Sequence, residues 1–190
     1  MDKKEEILLA AEAAFLKYGI RKITLDDIAQ SCGMKKTALY YYYKNKEAIL
    51  AAMLEKKFLE VFEEVKREVG KADNVKDKLR SFMHGRINAM RNNLPLFNLI
   101  SSEENRSFRA HEFMEQNRKQ IMERDFCLVN DILKMGVKNN KISYRLNDSL
   151  ILMILGATYG TFVGRFMDNA DWDIDSMIDT TVDVIMKGIK

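Results

Sequence analysis

A chain of 190 residues with 47% hydrophobic residues is long enough to bury a real core in one large or two small domains. One proline and nine glycines, with many Ala, Leu, Met, Lys and Glu, favour helices almost throughout, so we expect an all-α fold of about nine helices. The net charge of +3 does not by itself indicate nucleic-acid binding, and two isolated cysteines do not fit a disulfide framework.

The first predicted helix spans residues 3–18 and shows no export signal. Lysines and glutamates open it, apolar residues such as Ile7, Ala11 and Phe15 follow at helical spacing, and Gly19 ends it. The longest apolar run, residues 150–164, is shorter than the roughly 20 residues that span a bilayer. We therefore expect a cytoplasmic protein with no membrane partner.

Two short helices joined by a glycine turn are predicted next. Thr24 can cap the first of them, and Asp27, three residues later, completes a capping box. Gly33 supplies the positive φ that turns the chain. The second helix, from about Lys35 to Tyr43, starts with two lysines although the helix dipole disfavours cations there. This pattern predicts a helix-turn-helix, whose second helix reads bases in the major groove.

The composition of this segment suits contacts with DNA phosphates. From Met34 to Lys46 there are four lysines and no acidic residue, interleaved with four consecutive tyrosines whose hydroxyls can donate to phosphate. The alternative is a solvated charge run beside aromatic core residues.

The segment resembles the DNA-binding signature of the TetR family of bacterial transcriptional regulators. The residues that match are Thr24, Leu25, Ile28, Ala29, Gly33, Leu39, Tyr40, Tyr42, Lys46 and Leu50, with Tyr43 in place of a phenylalanine. Cys32, Lys35 and Thr37 depart from the signature. The last two lie at the base-reading end, so they bear on the operator sequence and not on the fold.

The resemblance implies a set of contacts with double-stranded operator DNA. It implies base contacts from Lys36, Thr37 and Ala38, and phosphate contacts from Thr24, Tyr40, Tyr42 and Lys46. Lys35 joins the phosphate contacts because of its charge. Leu39 is expected in the core.

A long helix is predicted from Asn45, its cap, to about Val69. We place the domain boundary at its start, which gives a helix-turn-helix DNA-binding domain of residues 1–46 and an effector-binding and dimerisation domain of residues 47–190. Further helices are predicted over about 75–91, 95–104, 107–137, 148–167 and 173–187.

Glycines recur at every fourth position of the last helix but one. Each costs a helix interior about 1 kcal/mol, so close approach by another helix is the expected compensation. The resemblance implies a homodimer whose last two helices form a four-helix bundle, and packing within one chain is the alternative. The predicted interface residues are Gly156, Gly160, Gly164, Ile178, Val182 and Ile185.

The central helices carry methionine and aromatic residues that suit an adaptable pocket for a small-molecule effector. The alternative is plain core. The predicted lining consists of Phe82, Met83, Arg86, Met90, Met122, Phe126, Asn130 and Tyr159.

No catalytic constellation, metal site or cofactor motif is predicted. Aspartates at 171, 173 and 175 are spaced as in a calcium loop, but Ser176 and Val182 replace the required glycine and glutamate, so helix capping explains them. The sequence thus predicts an effector-responsive, homodimeric regulator and not an enzyme. The resemblance implies that it represses at a near-palindromic operator, and activation is the alternative. The rivals are a helical ligand carrier or enzyme with a relic motif, and a packing protein that binds DNA without sequence preference.

Overall fold

The computed structural model describes residues 2–101, 110–139, 142, 147–168 and 173–189, with the backbone alone for residues 97, 101, 110–116 and 161–168. Nine α-helices and no strand occur in these ranges, which confirms the all-α prediction. The helices are α1 (Lys3–Tyr18), α2 (Leu25–Ser31), α3 (Lys36–Tyr42), α4 (Lys46–Lys71), α5 (Val75–Asn92), α6 (Leu94–Ser101), α7 (Ala110–Lys138), α8 (Asp148–Asp168) and α9 (Ile174–Gly188).

Local signals set most helix ends. Gly19 has a φ of 82° after α1, and the side chain of Asn45 accepts the Ala48 N–H at 2.8 Å to open α4. Asp173 caps α9 by accepting the Ser176 N–H at 3.1 Å, while Asp171 lies outside the described residues. The long helix α4 ends at Lys71, two residues beyond the predicted end at about Val69, because the exposed Gly70 weakens a helix without ending it.

The first of two compact units comprises Met1–Glu60 and Asn93–Lys119. Its core is formed by α1, α2, α3 and the first part of α4, with Ile7, Phe15 and Leu39 fully buried. Leu96 and Ile100 of α6 are buried in the same cluster. The helix-turn-helix is thus supported by a helix from far along the chain, which the sequence did not indicate.

The second unit comprises Val61–Asn92 and Gln120–Lys190. Within it α5 packs against α8 and α9. A Cβ built at Gly85 of α5 would lie 3.1 Å from a methyl group of Val65, so this glycine lets α4 and α5 approach closely. The two units are defined by contacts and divide the chain differently from the ranges 1–46 and 47–190, which remain a prediction about function.

No helix in the described ranges combines the length and the apolarity that are needed to cross a bilayer.

Candidate functional site

The helix-turn-helix is built from local hydrogen bonds around Thr24 and Gly33. Thr24 Oγ1 accepts the Asp27 N–H at 3.2 Å, and the Thr24 N–H donates to Asp27 Oδ2 at 2.8 Å, which confirms the predicted capping box. The Thr24 hydroxyl also donates to Asp27 Oδ2 at 2.7 Å, and this bond, together with the one from the Thr24 N–H, lowers the pKa of the Asp27 carboxyl. Gly33 has a φ of 63°, and the Met34 N–H closes the turn by donating to the Ala29 carbonyl at 2.9 Å. The start of α2 and the turn into α3 are therefore both fixed.

Helix α3 fully buries one side chain and leaves its N-terminal residues exposed to solvent. Leu39 is fully buried, as predicted. The residues that the resemblance assigns to base contacts, Lys36, Thr37 and Ala38, are all exposed, as is Lys35 at the N-cap position. This arrangement leaves the N-terminal end of α3 open to a large partner such as a DNA groove.

The four tyrosines differ in exposure. Tyr40 is 50% exposed and Tyr41 87% exposed, whereas Tyr42 and Tyr43 are half-buried against the core of the first unit. Burial raises the pKa of the Tyr43 hydroxyl. Tyr41 was absent from the predicted contacts, although its ring, edge-on to Tyr42 at 5.4 Å, presents the largest exposed aromatic surface of α3.

One predicted base-reading residue is engaged in an ion pair. Lys36 Nζ donates to Asp26 Oδ2 at 2.7 Å, and this bond raises the pKa of the Lys36 ammonium. Both side chains are largely exposed, so solvent screens the pair and it contributes little to stability. DNA bases could therefore compete with Asp26 for Lys36.

Lys46, a predicted phosphate contact, is directed toward the protein. Its Nζ donates to the carbonyls of Ile20, Arg21 and Ile23 at 2.9, 3.0 and 2.9 Å. Lys46 thereby links the first residue of α4 to the segment between α1 and α2.

A buried polar network lies in the second unit. The guanidinium of Arg86 on α5 makes two hydrogen bonds to Asp125 Oδ1 on α7, one of them from Nε at 2.9 Å, and the hydroxyl of Tyr159 on α8 donates to Asp125 Oδ2. Asp125 is fully buried and the Arg86 side chain is 5% exposed. Burial raises the pKa of the Asp125 carboxyl, against the opposing effect of Arg86, and it raises the pKa of Tyr159.

Helix α4 reaches this network through an aromatic ring. The Cζ atom of Arg86 lies 5.7 Å from the centroid of Phe62, and that of Arg124 lies 5.5 Å from it. Cations at such distances are attracted to the ring face. Four helices of the second unit, α4, α5, α7 and α8, therefore meet at Arg86 and its neighbours.

The remaining predicted effector residues are spread over the second unit. Phe82 and Met83 are fully buried in its core, against which Phe126 packs, and Met90, Met122 and Asn130 are half-buried. Of the predicted set, Arg86 and Tyr159 are brought together, through Asp125, which the sequence did not indicate. A separate cavity of about 290 Å³ lies between α4 and α5, with the charged or polar side chains of Glu64, Arg80 and His84 among its lining residues.

The predicted dimer residues fall into two groups. Ile178 and Val182 are fully buried in the core of their own chain, where α9 packs against α5, and Ile185 packs against that core. The place of these three residues in a dimer interface stays a prediction. By contrast, a Cβ built at Gly156 or Gly160 would meet no described atom within 4 Å. The surroundings of Gly164 lie outside the described residues.

Other apolar side chains share the exposed surfaces of these two helices. Leu152 and Met153 on α8 are 53% and 71% exposed, and Val184 on α9 is 65% exposed. We call Leu152, Met153, Gly156, Gly160 and Val184 the α8–α9 face.

No group of three or more histidine, cysteine or acidic side chains in the described ranges could hold a metal ion. The features that stand out are instead an exposed, basic second helix after a glycine turn and a buried polar network in a separate helical unit. The first of these features defines the class, a helix-turn-helix DNA-binding protein.

Comparison with known families agrees. Residues 7–53 match the family described as bacterial regulatory proteins, tetR family, and residues 54–188 match the YsiA-like protein, C-terminal region. The chain therefore belongs to the TetR family and is a DNA-binding transcriptional regulator.

Full-length similarity extends to regulators of fatty-acid metabolism. The chain is 22% identical over 190 residues to the fatty acid metabolism regulator protein of Bacillus subtilis, covering 98% of this chain and 95% of that protein. It shares its fold with the fatty acid degradation regulator FadR of Bacillus halodurans, with a TM-score of 0.70 and 16% identity over 98% of this chain and 95% of the other. A further likeness is to FadR of Bacillus subtilis in complex with stearoyl-CoA, with a TM-score of 0.69 and 20% identity over 98% and 99% of the two chains.

Proposed function

We propose that this regulator is a homodimeric repressor of fatty-acid metabolism genes, released from a near-palindromic operator by a long-chain acyl-CoA. The observation that carries the proposal is similarity over nearly the whole chain to a fatty acid metabolism regulator, in a protein with an exposed reading helix. Its relatives are regulators, and we infer that this chain too acts by binding and not by catalysis.

The second unit offers the two chemistries that an acyl thioester requires. The acyl chain needs apolar side chains that can move, and Met83, Met90 and Met122 are unbranched and adaptable. The thioester carbonyl or a phosphate needs a strong donor, which the Arg86 guanidinium supplies. The proposed effector residues remain those predicted from sequence, with Asp125 added as the group that now holds Arg86 and Tyr159.

The buried ion pair also suits a conformational response. Burying an arginine and an aspartate together stabilises a fold little, if at all, relative to apolar side chains of similar volume. A pair that is neutral for stability can still favour one of two helix arrangements. The contact of Arg86 with the ring of Phe62 couples α4 to this pair. We infer that effector binding near Arg86 alters this network and, through it, α4. The effector can shift the equilibrium only by its differential affinity for the two states.

Dimerisation is assigned to the α8–α9 face. Exposed glycines in a helix interior are compensated when another helix approaches closely, and no described atom of the same chain does so here. Exposed Met153 and Val184 add apolar surface. A two-fold dimer places two reading helices on half-sites about one helical turn of DNA apart.

Binding of fluorescein-labelled DNA, followed by anisotropy, tests the proposal. The probe is a duplex that the wild-type protein selects from random-sequence DNA, hereafter the selected duplex. Stearoyl-CoA should release the protein from it, whereas free CoA and stearate should do so weakly or not at all. Equal release by stearate would refute recognition of the thioester, and no release by any acyl-CoA would refute the proposed effector class.

A pair of variants on α7 localises the response. Asp125→Asn should change the stearoyl-CoA concentration needed for half-release, because it alters the hold on Arg86. Asp131→Asn, an exposed aspartate on the same helix, serves as the control and should respond as the wild type does. If both variants release DNA at the same stearoyl-CoA concentration, the network takes no part in the effector response.

A further inference from the structure

We propose that Lys46 serves DNA binding as a positioning residue, which holds the start of α2 in place, and not as a phosphate contact. Its ammonium group donates to the carbonyls of Ile20, Arg21 and Ile23 at 2.9–3.0 Å. These residues form the segment between α1 and α2, which lies more than twenty positions before Lys46 in the chain.

The ammonium group has its hydrogen-bonding capacity filled. A lysine side chain has three N–H donors and no acceptor, and each carbonyl lies within the normal distance for one of them. A DNA phosphate could therefore receive a hydrogen bond from Lys46 only if one of the carbonyls lost its own.

The three carbonyls belong to a segment whose position decides where α2 begins. Ile20 is fully buried and Ile23 is 2% exposed, so both side chains anchor the segment in the core of the first unit. Thr24, the N-cap of α2, follows Ile23 directly. Lys46 thus fixes the backbone next to a predicted phosphate contact and one helix away from the reading helix α3.

The position of Lys46 in α4 is consistent with this role. It is the first residue of α4, where the helix dipole disfavours a cation. Converging carbonyl oxygens at hydrogen-bond distance provide the compensating negative potential within the protein itself. No phosphate is needed to explain a lysine at this position.

A phosphate contact and a positioning residue respond differently to substitution. Arginine binds phosphate at least as well as lysine does, so Lys46→Arg would preserve a phosphate contact. A planar guanidinium cannot direct three N–H groups at carbonyls that converge on one point, so the same variant disrupts positioning. Loss of a phosphate contact also lowers the slope of log affinity against log salt by about 0.9, whereas loss of positioning leaves that slope unchanged.

The test measures affinity for the selected duplex at several salt concentrations, with Lys46→Arg, Lys46→Met and the control Lys35→Met. We expect both Lys46 variants to bind about tenfold or more weakly, as for a lost base contact, with the wild-type salt slope. Lys35→Met, which removes an exposed lysine, should lose about 0.9 from the slope. Wild-type affinity in Lys46→Arg, or a reduced slope in Lys46→Met, would overturn the proposal.

Hydrogen exchange without DNA separates positioning from general stabilisation. In Lys46→Met the amides of residues 20–31 should exchange faster, while those of α5 and α9 keep their wild-type rates. Unchanged exchange in residues 20–31 would contradict the proposed role. Faster exchange throughout the protein would also contradict it, since Lys46 would then stabilise the fold as a whole. Failure of the wild type to select any duplex would instead count against sequence-specific binding.

Discussion

Replacing Arg86 with methionine tests whether the buried network carries the charges that its geometry indicates. Asp125 is fully buried and the Arg86 side chain is 5% exposed, so Arg86→Met leaves a carboxylate in the core without its cation. Breaking such a pair from one side costs about 3–5 kcal/mol. For a chain of this length that corresponds to a fall in Tm of roughly 6–20 °C, at about 2–4 °C per kcal/mol.

The free energy of unfolding of Arg86→Met should also depend on pH in a definite direction. Burial raises the pKa of Asp125 and Arg86 is the main influence that lowers it, so removing Arg86 raises this pKa further. A carboxyl with a folded-state pKa above its unfolded value stabilises the fold below the unfolded pKa, and this stability is lost as pH rises through the folded pKa. The variant's loss of unfolding free energy relative to wild type should therefore be smaller at pH 5 than at pH 8.

Urea denaturation followed by circular dichroism at 222 nm measures both effects. The control replaces all three network residues, as Arg86→Met, Asp125→Leu and Tyr159→Phe together, which removes every polar group at once. Its stability should return to within about 1–2 kcal/mol of wild type. A single variant Arg86→Met that loses less than about 1 kcal/mol, with no pH dependence, would refute the assignment of a buried ion pair.

Three further substitutions address the helix-turn-helix and the dimer. Thr24→Ala removes the capping box and should lower stability by about 1 kcal/mol in urea denaturation, whereas an unchanged midpoint would contradict the cap. Asp26→Asn releases Lys36 and should tighten binding to the selected duplex by up to about fivefold in anisotropy titrations, and weaker binding would show that the ion pair helps. Gly156→Leu meets open space within the chain and should convert the dimer to folded monomers in analytical ultracentrifugation, while Gly70→Leu, the control at another exposed helical glycine, should remain dimeric. A dimeric Gly156→Leu would remove α8 from the interface.

The helix-turn-helix was predictable because its signals are local. The Thr24 cap depends on Asp27 three residues away, and the turn depends on the positive φ of Gly33. Burial of Leu39 follows from the helical spacing of α3. Such features are set by neighbouring residues, so the sequence alone places them to within a residue or two.

Contacts between distant parts of the chain were not predictable in the same way. The carbonyl partners of Lys46 lie more than twenty positions earlier, and nothing in a lysine at a helix start indicates which acceptors it will meet. Asp125 is an acidic residue in a largely polar stretch of α7, and the sequence of this stretch alone predicts that Asp125 is exposed to solvent. Only the packing of α5 and α8 against that stretch makes it the centre of a network.

What the apolar face of α9 packs against was equally hard to predict from the sequence. The apolar spacing of Ile178, Val182 and Ile185 correctly indicated one buried face. Periodicity cannot say what covers such a face, and here α5 of the same chain does so. A Cβ built at Gly156 or Gly160 of α8 would meet no described atom within 4 Å, and the part of these glycines in a dimer interface stays a prediction.

The central claim, sequence-specific DNA reading by α3, is tested most directly by selection of random-sequence duplexes at about 0.15 M salt. The wild-type protein should enrich an inverted repeat whose half-site centres lie about one helical turn apart, and Lys36→Ala should bind that repeat at least about fivefold more weakly. Enrichment of no sequence, or equal affinity for the selected duplex and its scrambled version, would contradict the account and favour a protein that binds DNA without sequence preference.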